Sequence, residues 1–288
     1  MESEEKMKLN AENLFEDIEY RNVEDMPYSK PVDIICHDAH LYGYILVPGK
    51  AYQGPHPCAI MFHGFPGYTT NNDLEHALRR MGCVVIHLNH RGAWGSEGCY
   101  SFTGLIEDAY EIVRWIQKEE TIEEFGIDID NIFLVGHSMG GMTAINSLRR
   151  IEGIKGAVAI APYDLAYCFN ERTEEILIEM IEQEGKCLRQ ENPAAIFKNA
   201  ALFYRDLSLE NAYESIKEKN ILFIGAEIDV VAPPKAMIEP LWNKLKANKN
   251  NTSAVQEYIS LKIEHNLCGQ RVNLARIVGQ WIEKMTTN

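Results

Sequence analysis

The chain has 288 residues, of which 46% are hydrophobic and 24% charged, with a formal net charge of −14. This is ordinary globular composition, long enough to bury a large core, and it excludes a disordered or fibrous chain. The acidic balance argues against nucleic acid and anionic membrane surfaces as partners, because neither would meet a basic footprint.

The first thirty residues (1–30) hold nine Asp/Glu against four Lys/Arg and are weakly periodic. They are expected to be an acidic N-terminal segment, either solvated or one short helix packed outside the domain. The start, Met1-Glu2-Ser3-Glu4-Glu5-Lys6, lacks a cationic stretch followed by an apolar one, so no signal peptide is expected. No apolar run approaches the ~20 residues that cross a bilayer. Seven cysteines are scattered along the chain and never form a C-x-x-C pair, so neither a disulfide framework nor a zinc site is expected. These features fit a reduced, cytoplasmic protein.

From Val32 the pattern changes. Val32–Cys36 and Leu41–Val47 predict two strands around a turn at Asp38-Ala39-His40. Apolar runs at 58–62, 83–88, 131–135, 157–160, 221–224 and 254–259 predict further strands. Helical patterns lie between them, near 72–81, 103–119, 139–151, 234–247 and 270–285. Most of the strands are apolar throughout, as parallel strands covered on both faces are. Such alternation implies a doubly wound α/β sheet, formed by residues 31–163 and 220–288.

Between Tyr163 and Asn220 about 55 residues pass without a strand, too many for an ordinary connection. The segment 164–219 is therefore expected to be a helical cap inserted on the sheet. It contains the pattern Ile176, Leu177, Met180, Ile181 and a helix start at Asn192-Pro193. A third helix is expected from Ser208, with Glu210 in its first turn. With twelve acids against seven bases, this segment should disfavour anionic ligands.

Gly136-His137-Ser138-Met139-Gly140-Gly141 follows the strand at 131–135 and opens a helix. That context turns a weak G-x-S-x-G match into a nucleophile elbow, where small flanks allow a strained strand-to-helix turn. Ser138 is the candidate nucleophile, and the backbone N–H of Met139 is one oxyanion donor. A serine needs an adjacent base oriented by an acid, following it in the order acid, then histidine. His265 is the only histidine after Ser138. The acid should follow the strand at 221–224; Asp229, further along the turn, is preferred, and Glu227 is the fallback. The second oxyanion donor is expected at the N–H of Phe65 in His63-Gly64-Phe65-Pro66-Gly67, since Pro66 has no N–H.

Several other residues invite a role. His63 is expected to be a packed histidine that fixes this loop. The pairs His37/His40 and His87/His90 lack neighbouring ligands at metal spacing and are expected to be structural. The loop Arg91–Gly98 is not a phosphate cradle; its Trp94 lies at the active-site edge, to touch substrate or to pack.

Together, His63-Gly64-Phe65-Pro66-Gly67, Asn89-His90-Arg91-Gly92-x-x-Gly95-x-x-Gly98, the Ser138 elbow, Gly225-x-x-x-Asp229 and Glu264-His265-Asn266 resemble the α/β-hydrolase superfamily, from about residue 56 to 285. The pattern is similar to bacterial feruloyl and cinnamoyl esterases, which carry an insertion after the sixth strand. It is also similar to the catalytic domain of prolyl-oligopeptidase-type peptidases. Those usually bear a β-propeller and a second glycine where this chain has Phe65. The resemblance implies hydrolysis of a small-molecule ester through an acyl-enzyme, without metal or organic cofactor. In that scheme Ser138 attacks, His265 moves the proton, Asp229 holds the imidazolium, and the N–H groups of Phe65 and Met139 hold the oxyanion. A peptidase or amidase is the alternative, followed by a non-catalytic binding protein on the same fold.

Overall fold

The computed structural model describes residues 6–67, 71–171, 173–248 and 253–287. Its eight strands are β1 (Tyr28–Cys36), β2 (Ala39–Val47), β3 (His56–Phe62), β4 (Val84–Leu88), β5 (Ile127–His137), β6 (Gly156–Ile160), β7 (Asn220–Ala226) and β8 (Gln256–Leu261). They form one sheet in the order β1-β2-β4-β3-β5-β6-β7-β8. β2 runs antiparallel to both of its neighbours, and from β4 to β8 every pairing is parallel.

The central strands read as apolar throughout because each face of the sheet carries its own core. Successive side chains of a strand point to opposite faces. Ile132 and Leu134 join one buried cluster, while Phe133 and Val135 join the other. The second cluster packs under α1 (Asn72–Arg80) and α11 (Arg271–Thr287). The first is covered by α2 (Phe102–Ile116), α4 (Met139–Leu148) and the helices that follow β6. All ten residues of α4 are buried, which makes it the central support behind the sheet's carboxyl edge.

Some boundaries moved for identifiable reasons. The helical pattern at 103–119 is two helices, α2 and α3 (Glu119–Phe125), because Lys118 turns extended before the second begins. Gly126 caps α3 in the left-handed conformation at φ 64°, and β5 starts at once behind it, at Ile127 rather than near 131. The pattern at 234–247 is likewise broken, into α9 (Pro234–Met237) and α10 (Glu239–Ala247), where a proline occupies the first turn of the second helix. Among the described residues of the N-terminal segment, Ala11–Phe15 forms a short 3-10 helix, and Leu14 is fully buried with α11 and α1.

Between β6 and β7 stand α5 (Leu165–Glu171), α6 (Glu174–Glu184), α7 (Pro193–Phe203) and the one-turn α8 (Tyr213–Ile216). Asn192 caps α7 as its sequence implies, accepting from the N–H of Ala195. The helix expected from Ser208 shrinks to a 3-10 turn at Glu210–Ala212 followed by α8. On α6, Leu177 and Ile181 are buried, but Ile176 is 50% exposed and lies off the apolar face.

Polar bonds fasten this segment to the sheet. Asn199 Oδ1 accepts from the N–H groups of Phe102 and Thr103, so α7 helps to cap α2 alongside Ser101. Arg149 and Arg150, at the end of α4, both grip Asp206. Asp164 closes the base: Oδ1 accepts from the N–H of Ala166, and Oδ2 from the N–H of Leu209 and the hydroxyl of Ser208. Burial outweighs these bonds and pushes the Asp164 carboxyl up to about 6. Above its unfolded pKa of ~3.9 the folded chain therefore binds more protons here, and stability falls as pH rises through that higher value. Between pH 7.5 and pH 5 the urea midpoint of the wild type should rise relative to that of Asp164→Asn. An unchanged difference would mean that this carboxyl does not titrate there.

Candidate active site

The carboxyl edge of the sheet brings the elbow together. Ser138 sits between β5 and α4 at φ 58° and ψ −121°, a strained conformation for a residue with a Cβ. Its N–H donates to Ile160 O at 2.9 Å, and its carbonyl accepts from Gly141, Met142 and Tyr163. The glycines on either side are required by close approach. A Cβ at Gly140 would stand 2.1 Å from Phe62 O, and one at Gly136 would stand 2.0 Å from Gly140 O.

His265 lies in the loop after β8, with Nε2 at 2.9 Å from Ser138 Oγ and Nδ1 at 2.6 Å from Asp229 Oδ2. A carboxylate only accepts, so Nδ1 carries the proton, and Nε2 is left as acceptor for the serine hydroxyl. Asp229 Oδ1 accepts from the N–H groups of Val231 and Ala232 at 2.7 and 2.8 Å. Burial would raise the Asp229 carboxyl, but the His265 bond and these N–H groups outweigh it and hold it below the usual carboxylate range. Glu227 is exposed and accepts instead from the hydroxyl of Ser260, at 3.2 Å.

The loop after β3 runs against Ser138, since a Cβ at Gly64 would be 3.2 Å from Ser138 Cβ. His63 is buried in this loop; its Nδ1–H donates to Gly64 O at 2.8 Å, and its Nε2 accepts from the N–H of His90 at 3.2 Å. That carbonyl belongs to the same peptide unit as the Phe65 N–H, so the imidazole sets how the peptide plane is turned. Burial pulls the His63 pKa down to about 3, which keeps the ring neutral, and these two bonds fix its tautomer. Among the described residues, neither the Phe65 nor the Met139 N–H is given to a backbone or side-chain acceptor. Trp94 is not among the residues lining the cavity; it is 45% exposed and donates Nε1–H to Pro66 O, a brace on the same loop.

A cavity of about 350 Å³ opens over Ser138. Phe65 and Phe102 line it from the core, Phe169, Leu177, Met180 and Phe197 from the helices after β6, and Val230 and Val231 from the turn beyond Asp229. Among the described residues that line it, Glu184 is the one carboxylate, and none is a lysine or arginine. His87 and His90 are engaged elsewhere, with Glu75 and Asp108 respectively. Among the described residues, no group of three or more His, Cys, Asp or Glu side chains is disposed to hold a metal ion.

A family model described as serine aminopeptidase, S33, matches residues 53–168. A lysophosphatidylserine lipase of Danio rerio is 31% identical over 106 residues, covering 35% of this chain and 26% of its own length. A Mycoplasma genitalium protein named as an esterase/lipase is 30% identical over 143 residues, covering 40% of this chain and 52% of its own. The chain thus spans about a quarter and about half of the curated relatives it matches. Est1E from Butyrivibrio proteoclasticus, solved with ferulic acid bound, superposes with a TM-score of 0.65 at 14% identity, over 89% of this chain and 100% of that one. The protein has the α/β-hydrolase fold.

Within that α/β-hydrolase frame, the structure adds residues that the sequence did not single out. His137 Nε2–H donates to the carbonyl of His265. Glu264 accepts from the N–H groups of Asn266 and Cys268, and Arg271 reaches back to Asn266 O. Glu264 stands beside His265 in the sequence, but an acid one residue from a base has many other uses, so only its backbone acceptance reveals the role.

Proposed function

We propose that the protein is a serine hydrolase that cleaves carboxylic esters through an acyl-enzyme. The single observation that carries this is His265 bridging Ser138 and Asp229 at 2.9 and 2.6 Å. Ser138 Oγ attacks the ester carbonyl while His265 Nε2 takes its proton, and Asp229 stabilises the imidazolium that forms. The Phe65 and Met139 N–H groups face the oxyanion. Collapse breaks the bond to the alcohol, which leaves with the proton from His265. Water then attacks the acyl carbonyl, giving its proton to His265, and Ser138 recovers that proton as the acid departs. The scheme calls for no metal or organic cofactor.

Residues 164–219 act as the cap in this scheme, supplying apolar walls that hold the acyl or alcohol group and exclude water. With twelve acids against seven bases in this segment and apolar walls around Ser138, neutral apolar esters are the favoured substrates. Seven free cysteines suit a reducing, cytoplasmic setting. No helix among the described residues is long and apolar enough to cross a membrane. A peptidase is the second reading, favoured by the name of the matching family model.

Labelling with a fluorophosphonate, then rates on p-nitrophenyl esters of increasing chain length and on aminoacyl anilides, tests the proposal. Each methylene that enters the cavity is worth ~0.8 kcal/mol, so kcat/KM should rise up to about fourfold per CH₂ until the walls are full. An ω-carboxylated acyl chain should be slower than its neutral counterpart. Anilides cleaved faster than every ester would transfer the assignment to the peptidase reading, and absence of labelling would remove the nucleophile.

A further inference from the structure

His137 is the last residue of β5 and the neighbour of Ser138, and it is almost fully buried. Its Nε2 is 2.8 Å from the main-chain oxygen of His265, and the two rings lie 4.8 Å apart. The carbonyl can only accept, so Nε2 carries the proton. Burial first, and the adjacent His265 second, pull the His137 pKa down to about 4, so the ring is a neutral donor at physiological pH.

The two ring bonds of His265 fix the direction of its imidazole but leave its backbone to be placed by the loop 264–268. That loop is a tight turn with Leu267 at φ 55°. Glu264 and Arg271 shape it from within and from α11. His137 approaches it from the other side, from the segment that carries the nucleophile. Ser138 is itself immobilised through Ile160, Gly141, Met142 and Tyr163. A donor one residue before Ser138 therefore measures the base against the nucleophile directly, although 128 positions separate the bonded pair.

We infer that His137 is a positioning residue for the general base, holding the His265 main chain so that its Nε2 stays within reach of Ser138 Oγ. This rests on the proposed roles of Ser138, Asp229 and His265. Its contribution appears in the rate of attack, since the bond does not involve the substrate; the ring also lines the cavity, so KM does not measure it.

The test compares His137→Leu, which fills the space without a donor, with His137→Gln, whose amide nitrogen reaches close to where Nε2 lies. His137→Asn carries the same amide one carbon short. Rates are read with p-nitrophenyl butyrate and as the rate of fluorophosphonate labelling, with urea midpoints alongside. A misplacement of about 1 Å costs up to ~10²-fold, so Leu should lower kcat and the labelling rate by roughly 10- to 100-fold. Gln should recover most of that loss. Asn should remain near Leu, which keeps the comparison decisive should Leu not fold. A residue that only fills space predicts the opposite order, with Leu at least as active as Gln. A Leu variant keeping more than half of the wild-type kcat, or equal rates for Gln and Asn, overturns the inference. A wild type that neither hydrolyses esters nor takes the label removes the parent proposal, whereas an active wild type with indifferent His137 variants removes this one alone.

Discussion

Ser138→Ala should fold as the wild type does and lose essentially all hydrolysis, with kcat lower by roughly four to six orders of magnitude. The fold should survive because, among the described residues, Oγ bonds only to His265, and the serine side chain caps nothing on α4. The strain at this position resides in the backbone angles, and alanine, which also has a Cβ, inherits it unchanged. Chemistry is lost because, among the described residues, no other hydroxyl is bonded to His265 Nε2. Steady-state rates on p-nitrophenyl butyrate and a urea melt measure the two halves of the expectation. Retention of more than a tenth of wild-type activity would take Ser138 out of the mechanism.

Asp229→Asn is expected to lower kcat by about 10⁴-fold, close to the known cost of a wrong histidine tautomer. The reason lies in what Oδ1 is doing. It accepts two N–H groups, from Val231 and Ala232, so the amide oxygen of an asparagine must stay on that side. The amide NH₂ then faces His265 Nδ1 and donates to it, which moves the imidazole proton to Nε2. A protonated Nε2 cannot take a proton from Ser138. Glu227→Gln, changed on the exposed side of the same turn, should stay within about twofold of wild type, as surface substitutions generally do. Parallel kcat measurements on the two variants decide the matter, and a dead Glu227→Gln beside an active Asp229→Asn would reverse the assignment of the acid.

Much of this was legible in the sequence because the constraints are local. Gly136 and Gly140 flank Ser138 for want of room, and an absence of room is written directly as glycine. His265 was legible by elimination, being the last histidine of the chain. Asp229 was separable from Glu227 only by its place in the turn; the geometry separates them by which one reaches an imidazole. What stayed hidden depends on partners remote in sequence. His137 looks like a spacer inside the elbow until His265 O is seen against it. Trp94 sits on the side where substrate would arrive, yet its indole N–H is spent on Pro66 O. The exposure of Ile176 could not be read from spacing, since a short helix leaves the edge of its apolar stripe undefined until its neighbours are placed.

Asp164 also bears on how such a protein can change over time. The chain leaves the sheet there and returns to the same carboxylate at Ser208 and Leu209, 44 and 45 positions later. The sheet therefore experiences the whole excursion as one closed loop. The entropy of closing a loop grows only logarithmically, about 0.6 kcal/mol for each doubling of its length. Helices between the two ends can be lengthened, shortened or replaced at little cost to the strands that hold Ser138, Asp229 and His265. Under the proposed function, selection acting on the pocket walls is in this way largely uncoupled from selection acting on Ser138, Asp229 and His265.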